Sequence, residues 1–189
     1  MNAFEQVVSD ILRMKGYWVH NSVKVKITPT DKKKIGKRSS PRWELDVVAY
    51  SGHDNILRIV ECKSYLDSPG VRLRGVDGSD PKEAKRYKLF ANPTLYDVIS
   101  KRLKIQFVES GACPSNARVK LCLACGKIVS ESDRNGLHTL FKKMKWDLWD
   151  EHWLRDHLAE MADPHYGYED QITAIVAKLL LRRKSKQRV

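Results

Sequence analysis

At 189 residues and 42% hydrophobic, the chain is long enough to bury one substantial core, and without an internal repeat it is expected to form one domain. Its formal net charge of +12 points to a polyanionic partner, nucleic acid before membrane, against the plainer alternative of a solvated basic surface. No apolar run approaches the roughly 20 residues of a membrane span, MNAFEQVVSD lacks signal-peptide order, and four cysteines make no disulfide framework, so the expectation is a cytoplasmic protein that does not engage membrane.

Residues 2 to 16 carry Phe4, Val7, Val8, Ile11 and Leu12 at helical spacing, and Gly16 closes the segment. Glu5 falls at the border of that apolar face, where it is either an ordinary first-turn acid favoured by the helix dipole or a site residue. Residues 17 to 27 alternate as a first strand, with Val23, Val25 and Ile27 on one side. TPTDKKKIGKRSSPR follows, and its Pro, Gly and Ser predict a mobile basic loop. Lys32, Lys33, Lys34, Lys37, Arg38 and Arg42 there are candidate phosphate contacts. About six neutralised phosphates would give a log-log salt slope near −5.

Trp43 to Tyr50 and Ile56 to Tyr65 are rich in Val, Ile, Leu and Tyr around the turn residues SGHDN, the pattern of a hairpin. Alternation puts Glu61 and Lys63 on one face and Cys62 on the other, and the hairpin brings Asp46 to the same end as Glu61. Two carboxylates and a lysine among buried strand residues are costly unless they pair or bind a cation. Magnesium would satisfy them, because it takes oxygen ligands, often one or two carboxylates with waters and substrate phosphate.

YLDSPGVRLRGVDGSDP reads as an irregular loop near that end of the sheet, with Arg72 and Arg74 as candidate DNA contacts. Asp80-Pro81 starts a helix, Asn92-Pro93 interrupts it, and Thr94 with Asp97 is a capping pair for a further helix that Gly111 stops. Arg118 to Ile128 is a fourth strand. Its Cys122-x-x-Cys125 is half a zinc knuckle without a second half, and buried thiols on a strand are the simpler account, so structural zinc is not expected. From Leu137 the pattern is helical. A break near Asp147 starts a second helix, and Asp163-Pro164 ends it; Trp146, Trp149 and Trp153 around the break serve as core, dimer contact or base stack. A last helix carries Ile172, Ile175, Val176, Leu179 and Leu180 before the basic tail 182 to 189.

Asp46, with Glu61-Cys62-Lys63 fifteen positions on, resembles the signature of the PD-(D/E)XK nuclease superfamily, although Leu45 stands where the name-giving Pro would be. The resemblance covers about residues 4 to 125, with residues 132 to 181 as helical additions. It implies a single α/β domain with a restriction-endonuclease-like core, a central mixed sheet of about four strands flanked by helices. It implies Mg²⁺, with Mn²⁺ as a substitute, held by Asp46, Glu61, the Cys62 carbonyl and, as in several branches of the superfamily, Glu5. Lys63 would act on the attacking water and the phosphoryl oxygens. The expected activity is DNA phosphodiester hydrolysis, endonucleolytic rather than exonucleolytic, and cutting both strands would favour a homodimer. Two other classes stay open: an inactive DNA-binding module of the same fold, and a zinc-stabilised nucleic-acid or protein adaptor.

Overall fold

The computed structural model describes residues 2–36, 42–163 and 171–181. Helix α1 (Ala3–Met14) begins with a reciprocal cap: the Asn2 side chain accepts from the Glu5 amide while the Glu5 carboxylate accepts from the Asn2 amide. Such a cap is worth about 1 kcal/mol. Strand β1 (Trp18–Lys26) follows.

Where a mobile loop was expected, a short helix forms instead, α2 (Pro29–Lys34). Thr28 and Asp31 cap each other across its first turn, and Pro29 occupies the first position, where a missing amide is harmless. The Thr-Pro-Thr-Asp start signal therefore outweighs the breakers that come after it. Lys32, Lys33 and Lys34 lie on this helix; Lys37 and Arg38 lie outside the described residues.

Strands β2 (Arg42–Ser51) and β3 (Ile56–Lys63) form the expected hairpin. Three short helices, α3 (Leu73–Val76), α4 (Pro81–Ala84) and α5 (Lys88–Ala91), lead to the long α6 (Pro93–Glu109). Asp80 caps α4 as expected. The cap of α6 is Asn92, which accepts from the Leu95 amide at 2.9 Å, rather than the Thr94 and Asp97 pair. With Pro93 at the first position, the helix has already begun before Thr94.

Strand β4 (Arg118–Cys125) and helix α7 (Glu131–Met144) then lead to β5 (Asp147–Trp149), a fifth strand where a helix start was expected. Asp150, not a residue near 147, caps α8 (Glu151–Met161), and α9 (Ile172–Leu181) completes the described chain. Three residues are too few for a period-2 pattern to register; pairing decides β5. It runs parallel to β4 over Cys122 to Ala124, and Asp147 takes hydrogen bonds from Arg58 at 3.2 Å and Lys120 at 2.5 Å. Arg58, buried in the middle of β3, is further paired with Asp54 and lies over the Tyr17 ring. A charge in so apolar a strand needs these partners.

The result is an α/β fold with one five-stranded mixed sheet, ordered β1-β2-β3-β4-β5, antiparallel through β3 and parallel from β3 to β5. Helices cover both faces. Leu95, Ile99 and Leu103 of α6 and Leu137 and Phe141 of α7 pack against Leu57, Ile59, Leu121 and Leu123. Val8, Ile11 and Leu12 of α1, with Leu154 and Met161 of α8, pack against Val47, Val60, Cys122 and Ala124. Burial on both sides explains why β3 and β4 read as continuous apolar runs rather than alternating ones. Trp146 packs edge-on to Phe90 and Phe141, and Trp149, buried, stacks on Trp153. On α9 Ala174 and Ala177 are buried against the body and the Thr173 hydroxyl donates to Asp10 at 2.6 Å, while Ile172, Leu179 and Leu180 stand exposed.

One distortion positions the site. Asn21 pairs with Val47 and Val23 with Leu45, but the intervening Ser22 and Asp46 do not pair, and Ser22 has φ 52. Val19 and Val47 pack into one core layer and Val23 and Leu45 into the other. Both strands thus exchange faces at Ser22 and Asp46.

Candidate active site

The β2–β3 ladder ends at the pair Val47 and Val60, so the next step of the same register sets Asp46 opposite Glu61. There the main-chain ladder is replaced by a side chain: the Cys62 amide donates to Asp46 Oδ2 at 2.8 Å. Lys63, two residues beyond Glu61 and on its face, donates from Nζ to Glu61 Oε1 at 2.6 Å. Their side chains are 19% and 20% exposed, so both are reachable from solvent.

Burial pushes the Glu61 carboxyl above its ordinary value; Lys63 opposes this, and Asp46 and Glu5 add to it. Burial alone would lower Lys63, but Glu61 and then Asp46 outweigh it and hold the ammonium above its usual value. Glu5 therefore reaches the cluster electrostatically from α1, where it is buried and also closes the helix cap. Cys62 points into the opposite core layer, its thiol pushed far up by burial, which leaves its main chain as the part able to serve the site. Asp46, Glu61, Cys62, Lys63 and Glu5 are thus brought together. Among the described residues, no group of three or more His, Cys, Asp or Glu side chains is arranged to hold a metal ion, so a cation here would draw on two carboxylates, a carbonyl and water.

The register also gathers the ends of several strands here. The β1 end at Lys26 faces the β2 start at Arg42, which puts exposed Arg42 and the following α2 at the same end of the sheet as Asp46, beside the C-terminal ends of β3 and β4. Asp31 ties α2 to α6 through Arg102. Arg72 and Arg74 behave differently from free contact residues: both bond Glu83 Oε1, at 3.2 and 2.7 Å.

The segment after β3 is held rather than loose. Val71 bonds the Lys127 carbonyl at 2.9 Å and Val129 returns a bond at 3.1 Å. A Cβ on Gly70, which has φ 114, would lie 2.9 Å from that carbonyl, and one on Gly126 would lie 2.3 Å from the Ser64 carbonyl. Only glycine permits so close an approach. Beyond the residues read from sequence, the segment adds Tyr65, which acts electrostatically on Lys63 and has φ 46. Periodicity carries no signal for it; an aromatic two residues after the Lys of Glu-x-Lys is the only hint in the sequence.

Cys122 and Cys125 belong to opposite core layers, as residues three apart on a strand must, and do not form a chelating pair. Comparison with family models, with curated proteins and with solved structures found no match to this chain.

Proposed function

We propose that the protein is a metal-dependent nuclease that hydrolyses DNA phosphodiester bonds on a restriction-endonuclease-like core. The observation that carries this reading is the meeting of Asp46 and Glu61 at the end of the β2–β3 ladder, with Lys63 on the face of Glu61. The donor set suits a hard cation: oxygen ligands only, in a cluster where burial and neighbouring carboxylates already disfavour the charge on Glu61. Asp46, Glu61 and the Cys62 carbonyl would hold Mg²⁺, or Mn²⁺ in its place, with waters completing the shell, while Glu5 adds negative charge from α1 rather than a ligand. When bound, such an ion polarises a phosphoryl oxygen and makes an attacking water more acidic.

Lys63 places a fixed positive charge where negative charge develops on the phosphoryl oxygens. Its raised pKa keeps it protonated, which favours this electrostatic role over that of a base. Lys32, Lys33, Lys34 and Arg42, at the same end of the sheet, would hold the DNA backbone without reading bases. Cutting both strands from one site per chain calls for a second copy.

The test is incubation with linear, circular, single-stranded and branched DNA, with and without magnesium. Cleavage that appears with magnesium and stops with chelator is the expected result; intact DNA of every kind would overturn the reading. The lack of a third carboxylate or imidazole ligand among the described residues favours a second reading, an inactive DNA-binding module, which binds the same DNA and leaves it intact.

A further inference from the structure

Beside the Asp46, Glu61 and Lys63 cluster the structure has a cleft of about 350 Å³, lined by Tyr65, Ser68, Arg72, Glu83, Arg86 and Tyr87 among others. It lies between the segment after β3 and helix α4, and Tyr65 joins it to Lys63, two residues away. Its volume is at the low end of small-molecule sites, roughly 300 to 1,000 Å³, which suits one nucleotide and excludes a duplex.

The lining matches that ligand. Tyr87 is buried, and burial first and a hydrogen bond to Tyr65 second hold its phenol well above the ordinary value, so Tyr87 supports Tyr65, the half-buried member of the pair and the one able to meet a base. Arg86 is exposed and makes no ion pair among the described residues, which leaves its guanidinium available to a phosphate. Glu83 receives Arg72 and Arg74 on the single oxygen Oε1, so Oε2 has accepting capacity left for an amino group of a base. Tyr65 is also held in place, since Gly70 clamps its segment against the Lys127 carbonyl and Tyr65 itself adopts a left-handed backbone that a non-glycine residue rarely takes.

We propose that this cleft is a subsite for one unstacked nucleotide of the substrate strand, next to the bond to be cut. The proposal rests on the nuclease reading and narrows it: the substrate is DNA with a single-stranded, flapped or mismatched position beside the scissile phosphate, where taking a base out of the stack costs least. Tyr65 stacks the base and Arg86 holds its phosphate.

The experiment titrates a short single-stranded oligonucleotide containing 2-aminopurine in calcium, reading the fluorescence quenching that stacking on an aromatic ring causes. Wild type is expected to bind and quench. Arg86→Glu, at an exposed position, should weaken binding about tenfold or more, and Tyr65→Ala should abolish quenching. Lys85→Glu changes the net charge equally outside the cleft and should bind and quench like wild type. Equal quenching in wild type, Arg86→Glu and Tyr65→Ala would overturn the subsite, even with DNA cleavage intact. Quenching that is lost in Arg86→Glu and kept in Lys85→Glu supports the subsite even where no DNA is cut, an outcome that counts against the nuclease reading alone.

Discussion

Asp46 Oδ2 accepts the main-chain amide of Cys62 at 2.8 Å, so the carboxylate both ends the strand ladder and stands at the centre of the site. These two roles separate by substitution. Asp46→Asn keeps an acceptor oxygen and loses the charge, so melting should stay near wild type while magnesium-dependent cleavage disappears. Asp46→Ala should lose cleavage and also about 1–3 kcal/mol of stability, the cost of a buried amide left without an acceptor. Plasmid cleavage and thermal melting of both variants check this; an Asn variant that cuts DNA would remove Asp46 from the chemistry.

Lys63 is bonded to Glu61 at 2.6 Å and held protonated by its acidic neighbours. Lys63→Ala removes a positive neighbour from the carboxylates, so magnesium affinity should be equal or higher while the rate falls about 10² or more. Lys63→Arg keeps the charge, and substantial activity there would establish a purely electrostatic role. Calorimetric magnesium binding beside single-turnover cleavage separates these effects. Wild-type rates in Lys63→Ala would reduce Glu61-Cys62-Lys63 to a chance triplet on a core strand.

On α2, the side chains of Lys32, Lys33 and Lys34 follow a capped first turn, and replacing all three with Gln should leave the fold unchanged. DNA affinity should fall alike for all sequences, and the log-log salt slope should flatten by about 2 to 3. Fluorescence anisotropy across a salt series measures it; an unchanged slope would mean that this helix is a solvated surface.

Asp31 anchors α2 by its hydrogen bonds to Thr28 and to Arg102, which lower its pKa from 3.8 to about 2. A carboxyl depressed in the folded state adds stability that is complete above the unfolded value and is lost as pH falls from about 3.8 to about 2. Asp31→Asn should therefore be less stable than wild type at neutral pH, with the gap closing as pH approaches about 2. Urea midpoints at several pH values test this, and a pH-independent gap would assign the loss to packing.

Local chemistry was enough for much of the protein. Helix α1, the β2–β3 hairpin, Asp80 as a cap and the common face of Glu61 and Lys63 follow from periods of 3.6 and 2 and from the chemistry of turns and caps, which act within a few residues. Helix α2 was also written locally, in Thr28-Pro29-Thr30-Asp31, and the glycine, serines and proline that follow obscured it. What the tertiary structure alone decided depends on partners far apart in the chain. Strand β5 exists because Asp147 meets Arg58 and Lys120. Arg72 and Arg74 are engaged because α4 presents Glu83 to them. Tyr65 and Tyr87 share a cleft because Gly70 lets one segment press against another backbone. An ion pair or close approach between distant residues depends on where the layers pack, and no spacing along the chain encodes it.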